Sequence, residues 1–460
     1  MQDLRKWFTL LLIGFLMLLS EPTLAESYQV TKIGEDSGTH TDRRRLAPGF
    51  YDPGVNKTFI SWMGPYSAAM VREFDHQTGK WSEEKTAAKS PFADKHNYPH
   101  LIKAADGHLI IFYGCHNSTL YMARSAKPLS IEGDWTVTEI KEAETATYPM
   151  PVVLKNGNIL VFYRETMQDL SNKPAKGYPT DYRPIRVIRS LDNGKTWSKP
   201  QTVIDNFPRS DNLCEQYVGE VQYEPAHGKI PERVHLVWAL AGGGPGSRKH
   251  DDYLTGAYHA YYNPMDSNLY NAAGENLGDC IDDYESEEYC LVRKTSDAFD
   301  SKLKKSTGYS HQVHWTDDGK PVILFKRLND IISASWNGKT WVEAVIAAGS
   351  EAPVGEHDLE KCGPKSFRAY IAVVGTQIVR VFRTDDAGKT WKEEARFSVP
   401  GFERIAKVIL IDNYHPDVKL IITELKSNSN EIYQSTRDIC IVKELPGNAP
   451  FVPLPEKPVK

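Results

Sequence analysis

The feature that most constrains this chain is a short motif, Ser/Thr-x-Asp-x-Gly-x-Thr-Trp, which occurs at residues 190–197 and again at 384–391. In such a turn, called an Asp-box, the Asp carboxylate accepts hydrogen bonds from backbone N–H groups and the Gly takes a left-handed conformation. Degenerate copies stand at residues 335–341 and 75–81. The motif therefore predicts a repeated β-hairpin and is interpreted as structural.

Short β-rich runs bounded by Gly, Asn, Asp and Pro recur along the chain, whereas long amphipathic helical patterns are missing. Five such runs cover residues 58–62, 109–113, 159–163, 234–238 and 321–325. Three of them follow an Asn-Gly or Asp-Gly dipeptide, which favours the turns that join twisted strands. The chain is predicted to be all-β.

The spacing of the repeats predicts their architecture. Trp341 and Trp391 are 50 residues apart, and so are the runs that begin at Leu109 and Ile159. A period of this order fits the four-stranded blades of a β-propeller. Blades of roughly 50 to 60 residues divide the chain into seven or eight, and seven is the prediction. No linker separates domains, so residues 26–460 are predicted to be a single catalytic propeller domain.

The first 25 residues resemble a signal peptide. Arg5 and Lys6 precede an apolar run over residues 7–19, and residues 23–25 offer a small-residue cleavage site. The run is short for a membrane anchor, although an uncleaved anchor is the alternative. The mature protein is thus predicted to be secreted or periplasmic, with no membrane anchor after cleavage.

The net charge of −5 argues against nucleic acid or a membrane surface as a general partner. An anionic substrate would need a local basic groove. Six cysteines are too few to form a disulfide scaffold in a chain of 460 residues, so the fold must depend on its apolar core.

Three segments place titratable side chains beside apolar strands. Their candidate functional residues are His96, His116 and Asn117 in the first segment, Tyr148 and Arg164 in the second, and Tyr217, His235 and Arg248 in the third. The first two segments share one order of features: a polar side chain, a proline, a turn, a strand and a second polar side chain. Equivalent positions of successive blades converge on a propeller axis. The alternative is that these side chains are polar groups satisfied at strand ends.

The motifs in these segments resemble a known family. Residues 58–62, 96–99, 112–117, 148–149 and 162–164 are similar to the BNR-repeat propellers that include ulvan lyases, in particular polysaccharide lyase family 25 and the related family 24. The resemblance covers most of the chain. It is strongest over residues 58–238 and weak after about residue 300.

The resemblance implies β-elimination at a uronate of ulvan, a sulfated algal polysaccharide, leaving an unsaturated uronate. It assigns His96 and His116 as paired histidines, Tyr148 as the catalytic tyrosine and Arg164 as the group that neutralises the uronate carboxylate. Tyr217 and His235 are implied as further cleft residues, and Arg248 and Asn117 are predicted to contact substrate. No catalytic cofactor is expected, the partner is an anionic polysaccharide, and the protein is predicted to be a monomer.

The chemistry explains why these residue types are needed. An Arg can bind a carboxylate in bidentate fashion and stabilise the enolate-like dianion. One group must remove the C5 proton and one must protonate the leaving oxygen, each contributing typically 10²- to 10⁴-fold. Both Tyr148 and His96 are candidates for the base, and Tyr148 is favoured because Arg164 follows one hairpin later.

A separate cluster contains Cys280 and Cys290, with His259 and Cys214 nearby in sequence. A Cys280–Cys290 disulfide is one interpretation. A structural Zn²⁺ held by the thiolates and a histidine is the other, and it is compatible with the resemblance. The spacing matches no compact metal motif.

Two other functions use the same fold. A sialidase-type hydrolase would need an arginine triad with a Tyr–Glu pair, or two opposed carboxylates, and its early Arg-Ile-Pro signature is absent here. A non-catalytic glycan-binding propeller would leave the polymer intact. Product analysis distinguishes both from a lyase.

Overall fold

The computed structural model describes residues 27–37, 48–94, 96–167, 182–209, 211–243, 250, 252–295, 304–352, 354–426 and 437–445. Strands dominate this part of the chain, which confirms the all-β prediction. Its helices are a 3₁₀ turn at Pro65–Ser67, an α-helical turn at Asp283–Glu285 and a π-helical turn at Ser286–Cys290. None of these is long and apolar enough to cross a membrane. The predicted signal peptide lies outside the described residues.

The described strands follow in chain order. The first ten are β1 (Tyr28–Ser37), β2 (Gly49–Asp52), β3 (Lys57–Met63), β4 (Ala69–Asp75), β5 (Lys80–Trp81), β6 (Lys85–Ala88), β7 (His100–Lys103), β8 (His108–Tyr113), β9 (His116–Ser118) and β10 (Leu120–Pro128). The next ten are β11 (Thr136–Ile140), β12 (Ala146–Val153), β13 (Ile159–Glu165), β14 (Ile185–Ser190), β15 (Gln201–Ile204), β16 (Glu215–Glu224), β17 (Arg233–Gly242), β18 (Tyr253–Tyr262), β19 (Leu269–Tyr270) and β20 (Leu291–Arg293). The last are β21 (Gln312–Trp315), β22 (Pro321–Arg327), β23 (Asp330–Trp336), β24 (Trp341–Ala347), β25 (Val354–Lys361), β26 (Phe367–Val373), β27 (Ile378–Thr384), β28 (Lys392–Ser398), β29 (Ile405–His415), β30 (Val418–Glu424) and β31 (Arg437–Glu444).

These strands pair mostly in antiparallel succession. Five sheets have the orders β11-β10-β8-β7, β15-β14-β13-β12-β9, β16-β17-β18-β19 with β20 on β18, β21 to β24, and β25 to β28. The sixth has nine strands and joins two groups, β1-β31-β30-β29 and β2-β3-β4-β5 with β6 on β4. A short parallel contact between Phe50 and Asp412 connects the two groups. The first and last strand groups are therefore neighbours.

The apolar core lies between successive strand groups. Seven clusters of buried side chains in the described chain contain residues of neighbouring groups, as in Phe59 with Ile111, Phe112 with Val161, Phe162 with Trp238, Val237 with Phe325, Leu324 with Phe367, Tyr370 with Leu420, and Ile60 with Ile421. The cluster of Ile60 and Ile421 also contains Tyr98, Tyr148 and Tyr217 from other groups. Each fully buried large apolar side chain contributes about 1.5–3 kcal/mol, so the stabilisation is spread over the boundaries between groups and this shared cluster.

The two complete turn motifs have the expected local chemistry. Asp192 Oδ1 accepts hydrogen bonds from the backbone N–H groups of Lys195 (3.1 Å) and Thr196 (2.9 Å), and Asp386 makes the equivalent pair. Gly194 has φ +83°, a left-handed conformation that favours glycine. The turn packs on the preceding strand group, because a Cβ at Gly194 would lie 3.2 Å from Ile110.

Candidate active site

Strand β12 positions the central residues of the site. Thr147 pairs with His116 of β9 on one side and with Arg164 of β13 on the other. The register shifts between Thr147 and Met150, and Tyr148 within this bulge has φ +57°. A tyrosine in the left-handed region is strained, and such strain is typical of functional sites. Because of the bulge, the Tyr148 side chain departs from the regular alternation of side chains along the strand. It lies between the two residues that pair with Thr147.

One carboxylate orients two histidines. Asp94 and His96 lie in the loop between β6 and β7, and His116 begins β9. Asp94 Oδ1 accepts a hydrogen bond from His96 Nδ1 (2.7 Å), and Asp94 Oδ2 accepts one from His116 Nδ1 (2.9 Å). An ionised carboxylate only accepts, so both imidazoles carry a proton on Nδ1.

Burial, hydrogen bonds and neighbouring charges shift the pKa values of Asp94 and His116. Burial opposes ionisation of Asp94, but its hydrogen bonds from His116 and His96 hold the pKa of the carboxyl far below its usual value. Burial also lowers the pKa of His116, Asp94 opposes this effect, and the positive charges of Arg164 and Arg183 add to it. At neutral pH His116 is therefore a neutral imidazole, able to accept a proton or a hydrogen bond at Nε2.

Arg164 lies behind two tyrosine rings. Its guanidinium carbon is 4.7 Å from the ring centroid of Tyr148 and 4.6 Å from that of Tyr217, and the residue is 1% exposed. None of its three side-chain nitrogens has an acceptor in hydrogen-bonding geometry. Burial disfavours its charge, but the oxygens of Tyr217 and Tyr148 and the carboxylate of Glu215 raise its pKa above the usual value. Arg164 is thus a buried cation that contacts the site through aromatic faces.

A second charged group backs the site. The fully buried Glu215 Oε2 lies 2.6 Å from His250 Nδ1 and 3.6 Å from Arg183 Nε. Burial opposes the charge of Glu215, yet Arg183, His250 and Arg164 lower the pKa of its carboxyl. Glu215 therefore remains an anion and partly balances the two arginines.

Further aromatic rings complete the cluster. Tyr98 stacks on Tyr148 with ring centroids 5.9 Å apart, and the rings of Tyr148 and Tyr217 are 6.5 Å apart. The rings of His96 and His116 are 3.9 Å apart, and His96 lies 6.0 Å from Tyr148. Tyr148 is therefore surrounded by an imidazole pair, a guanidinium and two other phenols.

The structure brings together most of the residues predicted from sequence. His96, His116, Tyr148, Arg164 and Tyr217 form one continuous set of contacts. Asn117 borders it: its backbone N–H donates to Thr147 Oγ1 (2.8 Å), and its Oδ1 accepts from Thr166 Oγ1 (2.5 Å). Arg248 lies outside the described residues.

His235 is not part of this set. It lies on β17 four residues from Ala239, the partner of Tyr217, which places it about 13 Å away along the strand. Its ring is completely buried, with Nε2 2.8 Å from Glu224 and Nδ1 2.9 Å from His259 Nε2. The sequence placed it in a cleft because it shares a polar segment with Tyr217, but β17 is long enough to carry it into the core.

The structure does not assemble the predicted zinc site. His259 Nε2 contacts His235 Nδ1, and none of the six cysteines is in a disulfide bond, so the Cys280–Cys290 disulfide is absent as well. No three ligand atoms from Cys214, His259, Cys280 and Cys290 come together among the described residues. The arrangement of these four side chains does not fit a metal ion, since a structural zinc needs its ligands around one centre.

Sequence reasoning missed Asp94, Arg183 and Glu215. Asp94 could have been recognised, because it stands two residues before His96 and so lies within reach of the same loop. Arg183 and Glu215 come from segments that are distant in sequence, and only a parallel bridge between their backbones brings them together.

Comparisons with known proteins agree with this fold. The sequence model described as "BNR repeat-containing family member" matches residues 57–348. The ulvan lyase of Alteromonas sp. (strain LOR) is 21% identical over 410 residues, covering 81% of this chain and 80% of the relative. An ulvan lyase of Nonlabens ulvanivorans is 20% identical over 444 residues, covering 83% of each chain.

Solved structures show the same fold. A family 25 ulvan lyase bound to -[GlcA(1-4)Rha3S]- superposes with a TM-score of 0.69 at 17% identity, covering 90% of this chain and 96% of its own. The polysaccharide lyase Uly1 superposes with a TM-score of 0.56 at 13% identity, covering 90% and 98%. The resemblance read from the sequence motifs is thus confirmed, and because the matching family model spans more than half of its residues, the chain belongs to the BNR repeat-containing family.

Proposed function

We propose that this protein is a polysaccharide lyase that cleaves ulvan by β-elimination and leaves an unsaturated uronate at the new non-reducing end. One observation carries the proposal: a strained tyrosine, Tyr148, lies between a buried guanidinium and two imidazoles oriented by one carboxylate. The relatives that are named ulvan lyases, matched over about four-fifths of their length, support the same substrate.

The substrate class follows from the chemistry of the ligand in the similar solved structure. That ligand combines a glucuronate with a 3-sulfated rhamnose. A uronate supplies the acidified C5–H and the leaving oxygen at C4, which β-elimination requires. We therefore extend the proposal to a glucuronate–rhamnose 3-sulfate repeat as the sequence that occupies the site.

Tyr148 is proposed to move the proton. Its hydroxyl oxygen is proposed to take the C5 proton and return it to the leaving oxygen on the same face, with the Arg164 guanidinium 4.7 Å from the ring centroid. The imidazoles of His96 and His116 are proposed to bind the uronate carboxylate or the adjacent hydroxyls, because Asp94 orients both rings through their Nδ1 atoms.

The burial of Arg164 determines how its guanidinium can act on a substrate. Its nitrogens are buried behind Tyr148 and Tyr217, so a uronate carboxylate reaches them only if one of these rings moves. We propose that Arg164 acts mainly through its charge on Tyr148, in a dry environment where such a charge is effective. Direct bidentate binding of the carboxylate is the alternative, and the two roles differ in their effect on kcat and KM.

A glycoside hydrolase is disfavoured by the state of the carboxylates. Asp94 accepts from two imidazoles, and Glu215 contacts His250 and Arg183. Both carboxyl pKa values are lowered, so neither group holds a proton to donate to a glycosidic oxygen. Hydrolysis by a carboxylate pair requires one protonated member.

The proposal also includes the number of propeller blades and the extent of the domain. The seven apolar clusters form a closed succession in which each strand group packs on the next, and this order supports a seven-bladed β-propeller with Asp-box hairpins. We propose that residues 26–460 form one such domain, secreted or periplasmic, monomeric and free of a membrane anchor.

The test is incubation of the purified protein with ulvan. A lyase generates oligosaccharides that absorb in the ultraviolet because the new uronate carries a conjugated double bond. The matched control is Tyr148→Phe, which retains the ring but loses the hydroxyl. Saturated products would instead establish a hydrolase, and an unchanged polymer that remains bound would establish a glycan-binding protein.

A further inference from the structure

Two histidines and an aspartate lie together where the first and last strand groups meet. His76 follows β4, His415 ends β29, and Asp417 lies in the turn before β30. The two imidazole rings have centroids 3.9 Å apart, and Tyr51 packs 5.2 Å from each of them. The cluster is separate from the candidate active site, because it shares no residue and no recorded contact with it in the described chain.

The separations between these side chains are those of metal ligands. Asp417 Oδ2 lies 3.7 Å from His76 Nδ1 and 3.5 Å from His415 Nδ1. These distances are too long for good hydrogen bonds. Two ligands of a tetrahedral zinc, each about 2.0–2.1 Å from the ion, are separated by about 3.3 Å. The ligand atoms of all three residues lie within 4.8 Å of one another.

The state of each histidine suits a ligand. His76 Nε2 lies 2.8 Å from Thr58 Oγ1, the kind of second hydrogen bond that ligating histidines usually make. Its Nδ1 has no hydrogen-bond partner although the side chain is only 2% exposed. His415 Nδ1 accepts a hydrogen bond from the Asp417 backbone N–H at 3.2 Å, so this nitrogen is unprotonated, and a bound ion would replace that hydrogen bond.

Charge at the cluster leaves one carboxylate oxygen available. Lys443 Nζ lies 2.6 Å from Asp417 Oδ1, the oxygen that does not face the histidines. His76 Nδ1 and Asp417 Oδ2 face each other at 3.7 Å, and His76 Nδ1 has no hydrogen-bond partner, so a cation between the two atoms would satisfy both of them.

We propose that His76, His415 and Asp417 bind a Zn²⁺ ion that links the first strand group to the last. Two imidazoles and one carboxylate are a common zinc ligand set, with water at the fourth position. The ion would join the turn after β4 to the β29–β30 turn, where the backbone contact between the groups is a single parallel pair. It would therefore stabilise the closure of the fold and leave the lyase chemistry unchanged.

The experiment uses the full mature chain, stripped with a chelator and titrated with zinc chloride alone. We expect one zinc per chain by elemental analysis and a higher thermal unfolding midpoint on zinc addition. Calcium and magnesium should not raise the midpoint, because they prefer all-oxygen sites. Failure of the wild-type chain to take up zinc would overturn the proposal, whatever the result of the ulvan assay.

Single substitutions test which residues bind the zinc ion. His415→Ala should lose the zinc, whereas Cys280→Ser and His108→Gln, a histidine on a hairpin of another strand group, should retain it. Lys443→Met should lower the Kd for zinc, because it removes a competing cation from Asp417. This gain of affinity does not depend on whether His415→Ala folds. Zinc retained in folded His415→Ala, zinc lost in Cys280→Ser, or weaker zinc binding by Lys443→Met would contradict the assignment.

Discussion

At the scale of single residues, the central question is which group moves the proton. Tyr148 contacts the Arg164 charge through its ring, whereas His96 is tied to Asp94 through Nδ1. We expect Tyr148→Phe to lose nearly all turnover, at least about 10²-fold in kcat, because it removes the only acid–base group on that ring. Residual kcat on ulvan is the measurement, and polymer binding should be preserved.

Two matched variants make this prediction specific. Tyr98→Phe removes the hydroxyl of the ring stacked on Tyr148 and should retain most of the activity. His96→Ala should impair binding and positioning yet leave a measurable rate. A Tyr148→Phe enzyme that turns over faster than His96→Ala would reverse the assignment and make the imidazole the base.

The kinetic constants distinguish the two roles of Arg164. If Arg164 acts through its charge on Tyr148, Arg164→Met should lower kcat on ulvan while KM changes little, because the substrate does not contact the guanidinium. Arg164→Lys should restore little of the rate, since a point charge does not reproduce the planar guanidinium between two rings. A clearly higher KM in Arg164→Met would indicate direct binding of the uronate carboxylate.

The sequence predicted the members of the site better than their arrangement. His96, His116, Tyr148 and Arg164 were recognisable because they lie before or after apolar strand runs in a pattern that two segments share. Asp94 was overlooked because an aspartate in a loop has no distinctive pattern. The burial of Arg164 behind two phenols was not predictable, since it depends on a bulge at Tyr148 that puts a bulky residue in a left-handed conformation.

At the scale of elements, the turn motifs were the most predictable feature. Their hydrogen bonds are local, so the sequence of residues 190–197 contains every group that the turn needs. The extent of β17 was not predictable in the same way, and the position of His235 was misjudged as a result. A strand of ten residues spans about 33 Å, so its two ends belong to different environments.

The Asp192 turn supports a stability prediction. Asp192→Ala should lower the free energy of unfolding by about 1–2 kcal/mol, because it removes the acceptor of two backbone N–H groups. Asp192→Asn should cost less, since Asn337 already accepts from Lys339 and Thr340 with its amide oxygen in the equivalent turn. Denaturant titration of the three proteins is the measurement. Equal losses for Ala and Asn would show that the charge matters more than the acceptor.

At the scale of the whole molecule, the small number of cysteines predicted a fold that depends on its apolar core and not on a disulfide scaffold, and the structure has its apolar clusters spread over the boundaries between groups. How the first and last groups meet was not predictable, because the pairing of β1 with β31 links residues about 400 positions apart and no local pattern encodes it. The cluster of His76, His415 and Asp417 was invisible in the sequence for the same reason.

The pairing of β1 with β31 makes the first strand a determinant of global stability. Tyr28 on β1 is 6% exposed, and its ring packs 4.9 Å from Phe397 and 6.4 Å from Tyr370, both in the preceding strand group. Tyr28→Ala should therefore lower the free energy of unfolding by about 3 kcal/mol, through lost burial and a cavity between two groups. The exposed neighbour Gln29 provides the matched control, and Gln29→Ala should change stability by less than about 0.5 kcal/mol. If unfolding followed by fluorescence and by circular dichroism remains a single transition in Tyr28→Ala, β1 belongs to the cooperative unit. A separate early transition would instead show that the last strand group opens independently of the others.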